Sequence, residues 1–191
     1  MKILSTEKDR QEIIKSHLKE GLVLDLGSQD MEGNVKESLH EFLVKNTKNK
    51  IIGVDVQKGK YVDVIADLNK KLPFKTNYAD NIVAGEIIEH LTNPLGFLEE
   101  CYRVLKPAGK LILTTPNATG LQIITGKESP HHYFVLSKRN FNLLLEKAGF
   151  ISPDITYLNV YFKRNIALRL LGAAMPKLRP VLVAVAQKNE K

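Results

Sequence analysis

Glu86, Glu89 and His90 stand at positions i, i+3 and i+4, a spacing that puts side chains on one side of a helical turn. Such a group can take a proton from a hydroxyl, because an imidazole with its ordinary pKa of about 6.5 accepts one near neutrality. His131 and His132 follow downstream. The set Glu86, Glu89, His90 and His132 would equally suit a divalent cation such as Mg²⁺, Mn²⁺ or Zn²⁺, which could orient a hydroxyl and lower its pKa. A buried, hydrogen-bonded structural role for His90 stays open beside these. The second constellation is Asp25, Asp55 and Asp67, each in or next to the end of an apolar run. A carboxylate suits a vicinal diol because each of its oxygens can take one donor, although aspartates at such positions also cap turns and helix starts. Asn117, in Thr115-Pro116-Asn117, either lines a pocket or makes an ordinary Pro-Asn turn.

The elements that must position these groups alternate between helix and strand. Residues 6–20 are mostly polar, with Ile13, Ile14 and Leu18 at helical spacing, and Gly21 separates them from the apolar run Leu22 to Leu26. Further strands are predicted over Ile51 to Asp55, Tyr61 to Ala66, Ile82 to Gly85 and Lys110 to Thr115, short apolar runs of the kind buried on both faces of a parallel sheet. A helix from Pro94 to Leu105 carries Leu95, Leu98, Tyr102 and Leu105 on one stripe. Another, from Lys138 to Ala148, is bounded by Ser137 and Gly149 as cap residues. Two β-rich runs, Ile155 to Tyr161 and Val181 to Ala186, end the pattern. The order predicts an α/β fold with helices on both faces of the sheet and the chemistry at the strand ends. The 191 residues suit a single domain over 1–191.

The stretch Asn81 to Gly120 resembles the middle of the class I S-adenosylmethionine-dependent methyltransferases, of the type 11 and quinone O-methyltransferase kind. Glu-x-x-Glu-His follows the fourth strand, Leu105-Lys106-Pro107-Ala108-Gly109 stands for the family's Leu-Lys-Pro-Gly-Gly turn, and the fifth strand ends in Thr-Pro-Asn. The resemblance covers roughly residues 20–187. It implies a Rossmann-like, seven-stranded, mostly parallel sheet with an antiparallel last strand, and S-adenosyl-L-methionine as cofactor. It further implies that Asp25 faces the cofactor's amino group through water, Gly27 lines the methionine tail, Asp55 accepts from both ribose hydroxyls, and Asp67 accepts from the adenine amino group with Leu68 against the ring. Glu86 would line the same pocket, Glu89 and His90 would be catalytic, and Asn117 and His132 would touch substrate. The glycine loop departs from the family: Gly27 is followed by Ser28, Gln29 and Asp30, so the second glycine is missing and the loop Ser28 to Lys36 reads as enlarged. Glu-x-x-Glu-His with a later histidine also occurs in metal-assisted quinone-type O-methyltransferases and in small-RNA 3′-terminal 2′-O-methyltransferases.

Composition bounds the rest. The net charge is +7, but residues 163–191 hold seven basic side chains against Glu190 alone, leaving a nearly neutral body. That disfavours a broad phosphate-tracking surface and hence nucleic acid as partner. No Asn-Pro-Pro-Tyr or Asp-Pro-Pro-Tyr follows the fourth strand, which disfavours amino methylation of adenine in DNA or RNA. The one cysteine, Cys101, excludes a disulfide within the chain and fits a reducing cytoplasm. The first twenty residues read as neither a signal-peptide core nor a spanning helix. Residues 163–180, with five basic and no acidic side chains among leucines, read either as a helix packed between the last two strands or as a peripheral contact with an anionic membrane. The expectation is therefore an enzyme that transfers methyl to a small-molecule or lipid-linked acceptor, more readily to oxygen than to nitrogen or carbon. The alternatives are a metal-assisted RNA 2′-O-methyltransferase and a protein of the same fold that binds cofactor or a partner without catalysis.

Overall fold

Gly21, with φ of 138°, turns the chain out of helix α1 (Glu7–His17) into strand β1 (Leu22–Leu26). The computed structural model describes residues 7–29, 37–126, 129–159 and 166–190. After β1 come α2 (Leu39–Asn46), β2 (Lys50–Asp55), β3 (Val64–Ile65) and β4 (Ala79–Gly85). A 3₁₀ turn (Ile88–His90), α3 (Pro94–Val104), β5 (Leu105–Pro116) and the short α4 (Leu121–Ile124) follow. The chain ends with α5 (Lys138–Lys147), β6 (Ile151–Leu158), α6 (Ile166–Ala174), a second 3₁₀ turn (Pro176–Leu178) and β7 (Val181–Gln187).

The strands form one sheet in the order β3-β2-β1-β4-β5-β7-β6. Neighbours are parallel from β3 through β5, and β7 runs antiparallel to both β5 and β6. Both faces are apolar because side chains alternate along each strand. Leu24, Ile82, Leu111, Leu113 and Leu182 enter the cluster that also holds Phe97, Cys101 and Phe141. Their sequence neighbours Val23, Val83, Ile112 and Val183 enter the opposite cluster with Ile14, Phe42 and Leu43. Cys101 is fully buried, and burial pushes its thiol far above the usual range. The helices start where the sequence provides caps. Ser38, Asn93 and Ser137 each accept from a backbone N–H in the first turn of α2, α3 and α5.

The strand limits differ most from expectation at three places. The third strand is Val64–Ile65 rather than Tyr61 to Ala66. Its first half is drawn off by side chains: the Asp63 carboxylate accepts from Gly53 N at 2.8 Å, and Ser28 Oγ donates to the Tyr61 carbonyl at 2.8 Å. The fifth strand begins at Leu105, so the Lys106 to Gly109 turn interrupts the β4–β5 ladder instead of preceding it. Ala108 takes the positive φ of 57° where the family has glycine, and its N–H donates to the carbonyl of Lys188 at 3.1 Å. The sixth strand starts at Ile151 rather than Ile155. Most of the enlarged loop expected over 28–36, the end of the run expected to reach Tyr161, and residues 163–165 of the basic segment lie outside the described residues.

Candidate active site

The carboxyl ends of β1, β2, β4 and β5 gather most of the ionisable residues singled out above. On β1, Asp25 is buried and accepts from His40 Nδ1 at 3.1 Å. Burial raises the Asp25 pKa, which His40 and Arg10 partly oppose. His40, from α2, is itself buried and stacks on Tyr61 with ring centroids 5.3 Å apart. Asp25 is thus held by a residue that no motif pointed to. The signal was present in Ser38 followed by Leu39, Phe42 and Leu43, a capped amphipathic start that places His40 beneath the loop after β1.

Gly27 has φ of 82°, and a Cβ there would come within 2.9 Å of Ile87 Cγ1. The position therefore requires glycine on two counts, backbone conformation and space. The missing second glycine is accommodated locally. Gln29 N donates to Asp55 Oδ2 at 3.1 Å, while its side chain lies directly on Gly59, where any Cβ would overlap the amide. Asp55, at the end of β2, also accepts from Gln57 N at 3.1 Å through Oδ1. Each carboxylate oxygen thus holds one backbone donor and keeps one further acceptor site. Gln29 Oε1 is buried without a hydrogen-bond partner among the described residues. Asp67 accepts from Asn69 N at 3.0 Å and lies 3.3 Å from Lys70 Nζ. The Asn69 N–H holds its carboxyl below the usual range, with Lys70 adding to the effect. Leu68 is buried in the larger apolar cluster.

Beyond β4 the backbone does not make the helical turn the spacing suggested. Glu86 adopts φ of 55°, a strained left-handed conformation for a residue with a side chain, and only Ile88–His90 are helical. The expected group of four consequently divides. Glu86 Oε1 lies 3.6 Å from Arg10 Nη1 of α1, which also donates to Thr114 Oγ1 on β5 at 3.0 Å. Arg10 is the second residue that sequence reasoning missed, since nothing in a polar amphipathic helix marks one arginine. Glu89, His90 and His132 converge instead, with one ligand atom from each within 4.8 Å of the others. Glu86 is not part of that cluster.

Glu89 is fully buried, and Thr115 Oγ1 donates to its Oε2 at 3.0 Å. Burial drives its pKa well above the usual carboxylate range, and Glu86 nearby adds to the effect. Its Oε1 has no hydrogen-bond partner among the described residues. His90 Nδ1 lies 3.1 Å from the carbonyl of His131, to which it can only donate, so Nε2 carries the lone pair of the neutral ring. Tyr133 N donates to the Glu89 carbonyl at 2.9 Å. These two bonds stitch the histidine loop to the 3₁₀ turn and set the His132 ring edge-on to His90, with centroids 4.9 Å apart. A buried carboxylate oxygen and two imidazoles form a donor set that zinc or manganese accepts, with positions left for a water or substrate.

Asn117 stands apart from this opening. It is fully buried; its amide donates to the carbonyls of Lys177 and Arg179 at 2.8 and 2.7 Å, and its oxygen accepts from Thr119 N and Oγ1. With all four hydrogen-bonding positions used, Asn117 is a tie between β5 and the segment before β7, not an open pocket group as expected.

A parallel β3-β2-β1-β4-β5 run with an antiparallel β7 inserted beside β5, and acidic residues at the ends of β1 and β2, defines the class I methyltransferase fold. Residues 33–113 match the family described as methyltransferase domain. A probable S-adenosylmethionine-dependent methyltransferase of Mycolicibacterium smegmatis is 28% identical over 140 residues, covering 67% of this chain and 54% of that protein. The mitochondrial ubiquinone biosynthesis O-methyltransferase of Rattus norvegicus is 39% identical over 62 residues, 32% of this chain and 18% of that protein. The chain thus spans about half or less of the length of these relatives. Among solved structures, a SAM-dependent methyltransferase from Archaeoglobus fulgidus superposes with a TM-score of 0.72 at 21% identity, covering 95% of this chain and 92% of the other. Over residues 33–113 the chain is thus similar to S-adenosylmethionine-dependent methyltransferases, and its fold is that of class I methyltransferases.

Proposed function

We propose that this chain binds S-adenosylmethionine at the ends of β1 and β2 and transfers its methyl group to a hydroxyl oxygen of a small-molecule or lipid-linked acceptor. The observation that carries the reading is the pairing of two half-sites. Asp55 is held by two backbone donors with acceptor capacity remaining on both oxygens, and His90, whose Nδ1 is bonded to the His131 carbonyl, stands beside buried Glu89. The residues at β1 and β2 fit the cofactor. Gly27 keeps the loop free of a side chain, Asp55 would take the ribose diol, and the unpartnered Gln29 oxygen marks a place for a donor. Asp25 orders the loop from below, and Asp67 with Leu68 would meet the adenine.

When bound, the cofactor supplies a methyl group on a positively charged sulfur, open to in-line attack. His90 would accept the acceptor's hydroxyl proton at Nε2, and the His131 carbonyl would stabilise the resulting imidazolium through Nδ1–H. The unpartnered Glu89 oxygen would orient the hydroxyl or share the proton. Holding donor and acceptor in line contributes most of the rate. The O-methyltransferase name of the rat relative, matched over a short stretch, supports oxygen over nitrogen.

The test is calorimetric titration of S-adenosylmethionine and S-adenosylhomocysteine into wild type and Asp55→Ala. Micromolar binding lost by at least tenfold in the variant supports the site; a folded wild type that binds neither ends the reading. A metal-assisted variant of the same reaction is favoured by one observation, the convergence of Glu89, His90 and His132. It requires stoichiometric Zn²⁺ or Mn²⁺ binding that is lost in His132→Ala.

A further inference from the structure

We infer that Asn69 is a positioning residue: it ties the loop that would meet the cofactor's adenine to the turn that carries Glu89 and His90, so that cofactor binding orders the proton-accepting side chains. Asn69 stands two residues after Asp67, and its own N–H donates to Asp67 Oδ1 at 3.0 Å. Its side-chain amide donates to the same oxygen at 3.3 Å. The amide oxygen points away from its own loop, to a segment 23 and 24 positions along the chain. There it accepts from Thr92 N at 2.7 Å, from Thr92 Oγ1 at 2.9 Å and from Asn93 N at 3.3 Å. A carbonyl oxygen has two lone pairs, so three donors use its capacity completely. Leu68 and Leu91, the residues inside this clamp, are both buried in the larger apolar cluster.

Folding alone gives these bonds little to do. Asn69 is exposed, and water would meet the same donors at a surface position, so the net contribution to stability is small. Helix α3 does not need them either, because Asn93 Oδ1 already accepts from Gly96 N at its start. What they fix is where the chain leaves the 3₁₀ turn. Thr92 lies two residues beyond His90, and the turn between is closed by His90 N on the Ile87 carbonyl at 3.0 Å and Leu91 N on the Ile88 carbonyl at 3.2 Å. An adenine amino group on Asp67 and a ring on Leu68 would immobilise residues 67–69, and Asn69 would pass that order to Thr92 and back to His90. A base whose conformations are narrowed only when the methyl donor is in place is aligned when it is needed. This step rests on the methyltransferase reading; the bonds at Asn69 do not.

The experiment is amide hydrogen exchange by NMR on the full chain, with and without saturating S-adenosylhomocysteine, in wild type, Asn69→Ala and Asn69→Asp. Calorimetry gives the affinity of each, and equal melting temperatures check the fold. In wild type the ligand should slow exchange at His90 and Leu91 by about fivefold or more. Neither amide is bonded to Asn69, so losing the bonds to Thr92 as such would not remove their response. Asn69→Ala keeps the backbone N–H that meets Asp67 and should bind within about threefold of wild type, while the slowing falls below about twofold. Asn69→Asp keeps an acceptor for Thr92 and should restore the slowing. Slowing that persists in Asn69→Ala, an Asn69→Asp that behaves like Asn69→Ala, or affinity lost together with the slowing overturns the inference. A wild type that binds the ligand without slowing refutes the link and spares the cofactor site; one that binds no ligand overturns both.

Discussion

The His40→Ala substitution tests whether the loop after β1 is held from below by a sealed Asp25–His40 pair. In the wild type His40 Nδ1 meets Asp25 at 3.1 Å with both side chains buried, and the His40 ring also stacks on Tyr61. Removing the imidazole leaves a carboxylate in the interior with its main partner gone, a change that typically costs about 3–5 kcal/mol. The lost stacking adds about 1 kcal/mol. For a chain of this length each kcal/mol lowers Tm by about 2–4 °C, so a fall on the order of 10 °C is expected near pH 8. The sign of the pH dependence follows from the raised Asp25 pKa. The folded state holds the proton more tightly than the unfolded chain, so the penalty is full above the folded pKa and fades as pH falls towards the unfolded value of about 3.9. Asp25→Asn/His40→Ala carries no ionisable group there and isolates this contribution. The single variant should be less stable than the double at pH 8, and the two should converge towards about pH 4, with a slope no steeper than about 1.4 kcal/mol per pH unit. Urea unfolding of both variants across that range measures it. A single variant that loses less than about 1 kcal/mol, or that parallels the double at every pH, refutes the sealed pair.

Gln29→Ala should stabilise the free protein slightly, because a buried unpartnered oxygen costs about 1–3 kcal/mol. It should also weaken S-adenosylhomocysteine binding by about tenfold; thermal melts with and without ligand read both changes, and tighter binding would mean the amide obstructs the pocket. Glu89→Gln keeps the shape and removes the buried charge. Since the folded pKa of Glu89 is raised by burial, the variant should exceed wild type in stability at about pH 8 and lose that advantage by about pH 4, while methyl transfer falls at every pH. Asn117→Ala leaves the Arg179 carbonyl without its donor and the Lys177 carbonyl with Thr119 Oγ1 alone. A loss of about 2 kcal/mol is expected, with faster amide exchange confined to the arm before β7 and cofactor affinity unchanged.

Strands β1, β2 and β4 were legible because each contains a short apolar run closed by glycine or aspartate, with no polar alternation to confuse it. What escaped was set by side chains acting across the sequence. The third strand shrank because Asp63 and Ser28 capture Gly53 and Tyr61, contacts between residues ten and thirty-three positions apart that no local pattern encodes. The same holds at the site. Glu86, Glu89 and His90 are correctly spaced for one helical face, yet a positive φ at Glu86 sends it to Arg10, and only Glu89 and His90 meet His132. Spacing rules presuppose the helix, and here the bond from Glu86 N to the Thr114 carbonyl at 3.0 Å carries the β4–β5 pairing up to a residue of positive φ, which is not helical. The division is chemically useful. Glu86 faces Arg10, whose charge also bears on Asp25, on the side where the cofactor's charged tail would lie. Glu89 is left buried beside the two imidazoles, where in the proposed reaction an acceptor hydroxyl would give up its proton. A straight helical turn would have put both carboxylates on one side and raised the cost of ionising either. On the proposed function, the strained residue at the end of β4 would therefore separate the cofactor half of the opening from its proton-accepting half.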